Sequence, residues 1–281
     1  NYLVNNRWMP INYSIRQTDN SPYSNHEFVN QTSPFKSYFG NNLTNGFVTR
    51  FKDGQEMNDM LNARMFYISA DNQEIVSFNI STSSSPNIYE HNAIAYPDAY
   101  AGVDIDINLM DQSRKMNYVI REAEFLNDIP EDAAYLMFEE YFNLSPGVFP
   151  ILVDKEIHLI HEASDKMIGK IPKPEIHDMI FGKDNPGNMP IVEYNLYEEQ
   201  GMYKLVLKIG LEWLSHPDRV FPIFIDPSID GSNGSIQFQE SIATALGCTA
   251  YPEFENVVTT GAVSNSTITD FSYTCSATPA Y

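Results

Sequence analysis

The sequence predicts an all-β fold: antiparallel β-sandwich domains followed by a small C-terminal β module. Three observations carry that expectation. Apolar and polar residues alternate over Val103–Leu109, with Val103, Ile105, Ile107 and Leu109 on one face and Asp104, Asp106 and Asn108 on the other. This is the period of a half-buried strand. Between residues 148 and 209 short apolar runs recur, separated by Gly, Pro and Asp, and a spacing of roughly ten residues is typical of sandwiches and barrels. Finally, a chain of 281 residues with 43% hydrophobic and 13% aromatic content can bury a sizeable core, which argues against wholesale disorder.

The elements follow in order. Residues 1–125 form the expected N-terminal β domain, in which Phe47–Phe51 and Met65–Ile68 read as strands between Asn45-Gly46, Asp53-Gly54 and other turn formers. Ser81–Pro86 is loop-like by composition. Residues 126–230 form the second expected domain, a β-sandwich. Residues 131–145 fit a helix or a strand, and the strand-like pattern downstream favours strand. Val148–Val153, Glu156–His161, Met167–Ile171, Ile176–Phe181, Ile191–Tyr197 and Tyr203–Ile209 are the further strands. Gly210–His216 suits one helical turn, stopped by Pro217. Residues 231–281 lack Lys and Arg, hold four acids and carry 15 Ser or Thr. They read as a separate small β module.

Charge narrows the partners. With 17 basic against 37 acidic side chains, the net charge is −20, which repels phosphate backbones and anionic lipid. Neither nucleic acid nor membrane insertion is expected. No apolar run reaches the ~18 residues of a membrane-spanning helix. The N-terminus has neither an initiator Met nor a signal-peptide layout, so it reads as a processed or truncated end. Cys248 and Cys275 cluster in the last 51 residues and suit a disulfide, hence an oxidising compartment. Seven N-x-[ST] sequons, at Asn12, Asn30, Asn42, Asn79, Asn143, Asn233 and Asn265, are about twice the chance number. Together these features predict an extracellular, cell-surface glycoprotein.

Catalytic chemistry is not evident. Glu156–Glu162 holds the one histidine cluster, but His158 and His161 lack the HExxH spacing of a zinc protease. Asp104-x-Asp106-x-Asn108 begins like a calcium loop, yet Leu109 and Lys115 stand where Gly and Glu belong. The Asp226–Asn233 turn is richer in oxygen, and calcium there is the lesser reading. No cofactor is called for, and no GxSxG, P-loop, GxGxxG or CxxC occurs. A carboxylate pair for glycoside cleavage cannot be picked from 37 acids.

One block resembles a known family. Trp213-Leu214-x-x-Pro217-x-Arg219-x-Phe221-Pro222-Ile223-x-Ile225-Asp226-Pro227 resembles the WLxxPxRx[YF]P[VI]xIDP ending of a β-rich region in large prokaryotic cell-surface proteins. That region often precedes DNRLRE-type or Rhs/YD-repeat modules. Looser similarity runs upstream to about residue 90. The block is structural in its physics. Trp213 and Leu214 can plug a sandwich end, and Arg219 can pair with a carboxylate such as Asp218 or Asp226. Residues 220–225 read as a strand apolar on both faces, hence buried, and Asp226-Pro227 turns the chain out. The resemblance implies a surface role without naming an activity.

The sequence thus leads to one expectation: a secreted, glycosylated structural subunit of a prokaryotic surface assembly, whether filament, sheath, surface layer or adhesin. It would be a homopolymer joined by β-strand contacts rather than an enzyme, with surface glycans as second candidate partners. The rival is a secreted carbohydrate-binding or glycoside-cleaving module. A weaker third is a shell segment of a secreted toxin.

Overall fold

The computed structural model describes residues 2–4, 7–9, 11–32, 35–110, 113–179 and 192–231. Asn1–Pro10 and Ser232–Tyr281 make one compact unit, Ile11–Gly231 the other. The described part of the first is a hairpin, β1 (Tyr2–Val4) and β2 (Arg7–Met9), with Leu3 opposite Trp8. Cys248, Cys275, Asn233, Asn265 and the expected C-terminal module lie outside the described residues.

The second unit is built from two antiparallel sheets, as the all-β expectation requires, and the chain shuttles between them. It opens in the first sheet with β3 (Arg16–Gln17), β4 (Phe28–Asn30), β5 (Lys36–Phe39), β6 (Phe47–Arg50), β7 (Glu56–Ile68) and β8 (Glu74–Asn79). It passes to the second with β9 (Asn87–Glu90), β10 (Ala93–Tyr100), β11 (Val103–Met110) and β12 (Ser113–Ile120). It returns for β13 (Tyr135–Leu144), then contributes β14 (Val148–Val153), β15 (Glu156–His161), β16 (Lys166–Ile171) and β17 (Glu175–His177) to the second sheet. Finally β18 (Val192–Glu199) and β19 (Met202–Gly210) join the first sheet, and after α1 (Leu211–Leu214), β20 (Ile223–Asp226) and β21 (Ile229–Gly231) close the second. The boundary expected at residue 125 therefore falls inside one unit. β13 is inserted between β7 and β19, and β20 and β21 pair with β12, so both sheets mix strands from either side of that position.

Burial follows the patterns that form the strands. Val103, Ile105, Ile107 and Leu109 of β11 are buried, and Asp104, Asp106 and Asn108 are half-exposed. The ambiguous 131–145 stretch is strand, because β13 is central: Leu136, Phe138 and Phe142 enter the main core, while Met137 packs with Phe66, Ile68 and Val206 on the other face. The main core joins both sheets, with Phe39, Phe47, Met57 and Met65 from the first and Ile105, Ile107, Ile223 and Ile225 from the second. Close packing needs one glycine in particular. A Cβ on Gly169 of β16 would lie 2.5 Å from the Phe51 ring, so only glycine lets that ring sit there.

The 220–225 run is buried on one side only. Ile223 and Ile225 are buried, Val220 is exposed and Phe224 is half-buried, its ring edge-on to His177 at 5.0 Å. The expectation of burial on both faces fails on the face of Phe224, which it shares with His177, its cross-strand neighbour on β17.

Candidate functional site: a charged centre between the sheets

The most unusual chemistry in the described residues lies inside the sandwich. Alternation along β12 turns Arg114, Met116, Tyr118 and Ile120 inward. Arg114 is therefore fully buried. Its Nη1 donates to Asp59 Oδ1 of β7 and to Thr49 Oγ1 of β6, both at 3.0 Å, and its Nη2 donates to Asp59 Oδ2. The guanidinium also lies over the Phe47 ring, 5.3 Å from its centroid. This is a bidentate, charge-assisted pair, the geometry that guanidinium and carboxylate planes favour.

Local irregularity of β7 delivers Asp59. Met60 and Asn62 have positive φ, 59° and 48°, and the β13–β7 register shifts between Glu139 and Tyr141 and again before Asn143. The resulting bulges bury two successive side chains, Asp59 and Met60. Left-handed conformations at non-glycine residues are costly; here they put a carboxylate opposite Arg114.

Glu140 of β13 completes the centre. Burial, and after it the Asp59 charge, push its carboxyl up to about 8, with Arg114 pulling the other way. Its Oε2 has no hydrogen-bond partner, nor do the hydroxyls of Tyr100 and Tyr194. Tyr118 stacks on Phe138 at 4.0 Å and its hydroxyl meets Met60 Sδ at 3.6 Å. Burial raises the pKa of Tyr100, Tyr118 and Tyr194, with Glu140 adding to each. Sequence reasoning passed over Asp59, Arg114 and Glu140. A signal existed for one of them: Arg114 shares its parity with Met116, Tyr118 and Ile120, the apolar face of an alternating strand.

The residues singled out from sequence sit elsewhere. Trp213 is half-buried against the core, and Leu214 is fully buried. Arg219 stacks over Trp213 at 4.3 Å and pairs with Asp178 at 3.3 Å. Its carboxylate is thus neither Asp218 nor Asp226, because Asp178 reaches the same spot and also accepts the Val220 N–H at 3.4 Å. Pro217 lies in the exposed turn after α1, and Pro222 follows a cis peptide bond. Asp226 is engaged within the chain: its Oδ1 accepts from the Ser228 N–H and hydroxyl, and its Oδ2 lies 3.1 Å from Lys115 Nζ. Pro227 is buried beside it. Among the described residues no cluster of His, Cys, Asp and Glu could hold a metal ion.

Of the sequons, Asn12 and Asn79 are exposed, and Asn42 and Asn143 are half-exposed. Asn30 is corrected outright. It is 1% exposed, and its Nδ2, the atom a glycan would occupy, donates to the carbonyls of Asn12 and Ser14.

At the surface, β14 has a partner on one side only among the described residues. Phe149, Ile151, Leu152 and Val153 of this edge are exposed. The Glu162 N–H donates to the Gly147 carbonyl at 2.8 Å. By the alternation of an antiparallel ladder, the Pro150 nitrogen three residues on faces the open side, where it offers no donor.

No family model and no solved structure matches the chain. The chain is similar to the tRNA3(Ser)-specific nuclease WapA of Bacillus spizizenii, 25% identical over 160 residues. The match takes in 53% of this chain and 6% of that nuclease. This finding overturns the expectation of a structural subunit of a surface assembly, since the relative is a nuclease polypeptide. Composition and turn spacing could not reveal that similarity, because they report a β-rich fold and not relatedness.

Proposed function

We propose that this chain is a β-sandwich module of a long, toxin-type nuclease polypeptide, one that accompanies the cutting domain and does not itself cut. One observation carries the reading: more than half of this chain resembles a piece amounting to 6% of a tRNA-specific nuclease. Charge supports the division of labour. A chain with 20 more acids than bases repels an RNA backbone, whereas nucleic-acid binding draws on Lys and Arg to release counterions. The buried location of Asp59, Arg114 and Glu140 supports it too, because a substrate phosphate would reach them only if the sheets parted. The resemblance of the Trp213–Pro227 block to large surface proteins, the sequons and the cysteine pair favour a parent polypeptide that is exported.

The test is direct. Purified chain incubated with total tRNA at low and moderate salt should leave every tRNA intact on a denaturing gel. Cleavage that disappears on substituting a single residue of this chain would overturn the reading.

A further inference from the structure

Glu140 lies where the two sheets meet; β19 places the apolar Leu205 opposite it, and the other strands around it present polar groups. Asp59 faces it from β7, Tyr194 from β18, Tyr100 from β10, and Arg114 and Tyr118 from β12. The centre holds two carboxyl groups and one guanidinium. Arg114 has committed its forked end to both oxygens of Asp59 and to Thr49. A charged Glu140 would then be an unpaired carboxylate in a dry core, which proteins avoid by neutralising the group. The unpartnered Oε2 and the unpartnered hydroxyls of Tyr100 and Tyr194 leave a neutral acid free to donate or accept there.

We propose that Glu140 holds a proton in the folded sandwich and serves as its pH-sensitive latch, closing the core as a neutral acid and loosening the two sheets around Arg114 as a carboxylate. The direction follows from linkage. Burial and Asp59 raise the carboxyl to about 8 in the folded chain, whereas an unfolded Glu titrates near an ordinary value of about 4.3. The contribution to stability is therefore complete below the unfolded value and is lost as pH rises through the folded one. Between them folding takes up one proton, and the unfolding constant worsens by up to about tenfold per pH unit.

Glu140→Gln keeps the shape of the neutral acid and cannot ionise. The unfolding constants of wild type and E140Q, measured by urea titration from pH 5 to 9, should have a ratio that climbs by up to about tenfold per unit and levels off above the folded titration point. A ratio independent of pH would overturn the proposal. A second readout needs no variant. In 13C-glutamate-labelled wild type at pH 6.5, the Glu140 carboxyl carbon should show the shift of a protonated acid and titrate near pH 8. A carboxylate shift at pH 6.5 would overturn the proposal even if E140Q failed to fold.

Discussion

Arg114 of β12 and Asp59 of β7 join the two sheets through a bidentate ion pair in which neither side chain is more than 1% exposed. Such a pair is costly to bury and costlier to break. Replacing Asp59 with Ala would strand a guanidinium in the core, at about 3–5 kcal/mol, a large share of the roughly 5–15 kcal/mol that holds a domain together. The double variant Asp59→Leu with Arg114→Met should recover most of that loss, since apolar replacements of similar volume are often neutral. Urea midpoints decide it. A D59A protein within about 1 kcal/mol of wild type would mean that the pair is not sealed from water.

Pro150 guards an apolar edge. Replacing it with Val restores an outward-facing N–H beside Phe149, Ile151, Leu152 and Val153, giving a hydrophobic edge strand without its blocking device. P150V should therefore aggregate at concentrations where wild type stays dispersed, as light scattering would show. Equal scattering from the two proteins would mean that the edge is already covered.

The Trp213–Arg219–Asp178 stack should be a stability element. Trp213→Ala removes a half-buried indole from the core and the face on which Arg219 lies, so a loss of about 3 kcal/mol is expected. Arg219→Lys should cost about 1 kcal/mol, because an ammonium keeps the charge but not the flat stack. Thermal melts check both, and an unchanged W213A midpoint would show that the ring contributes nothing to folding.

Asn30 should never carry a glycan, even where Asn12 or Asn79 does. Its amide bridges two backbone carbonyls, and Asn30→Ala should lose about 1–3 kcal/mol by leaving them unpaired. Peptide mapping of native protein checks the first claim and melting the second. A glycosylated Asn30 peptide would contradict the placement of β4.

Much of the fold was legible residue by residue. β11, β14 and β15 were readable because apolar runs of strand length stand between turn formers, and Val103 to Leu109 alternate without a break. The sheet each strand joins was not readable, since local patterns say which face is buried and not against what. That is why a domain boundary at residue 125 was expected where β13 instead inserts between β7 and β19. The charged centre was hidden for the same reason. Asp59 pairs with a residue 55 positions away in the other sheet, and the Glu140 carboxyl is pushed up by its burial and by the Asp59 charge, neither of which local sequence shows. Arg114 alone left a trace, in its parity along β12.

The proposal that this sandwich is one module of a much longer nuclease-type polypeptide has a direct test. An antibody raised against residues 11–231 tests it most directly, by immunoblot of the producing cells and their medium with proteolysis blocked at harvest. The blot should show a species several times heavier than the 32.0 kDa of this chain. A single species at 32 kDa, with nothing heavier, would contradict it.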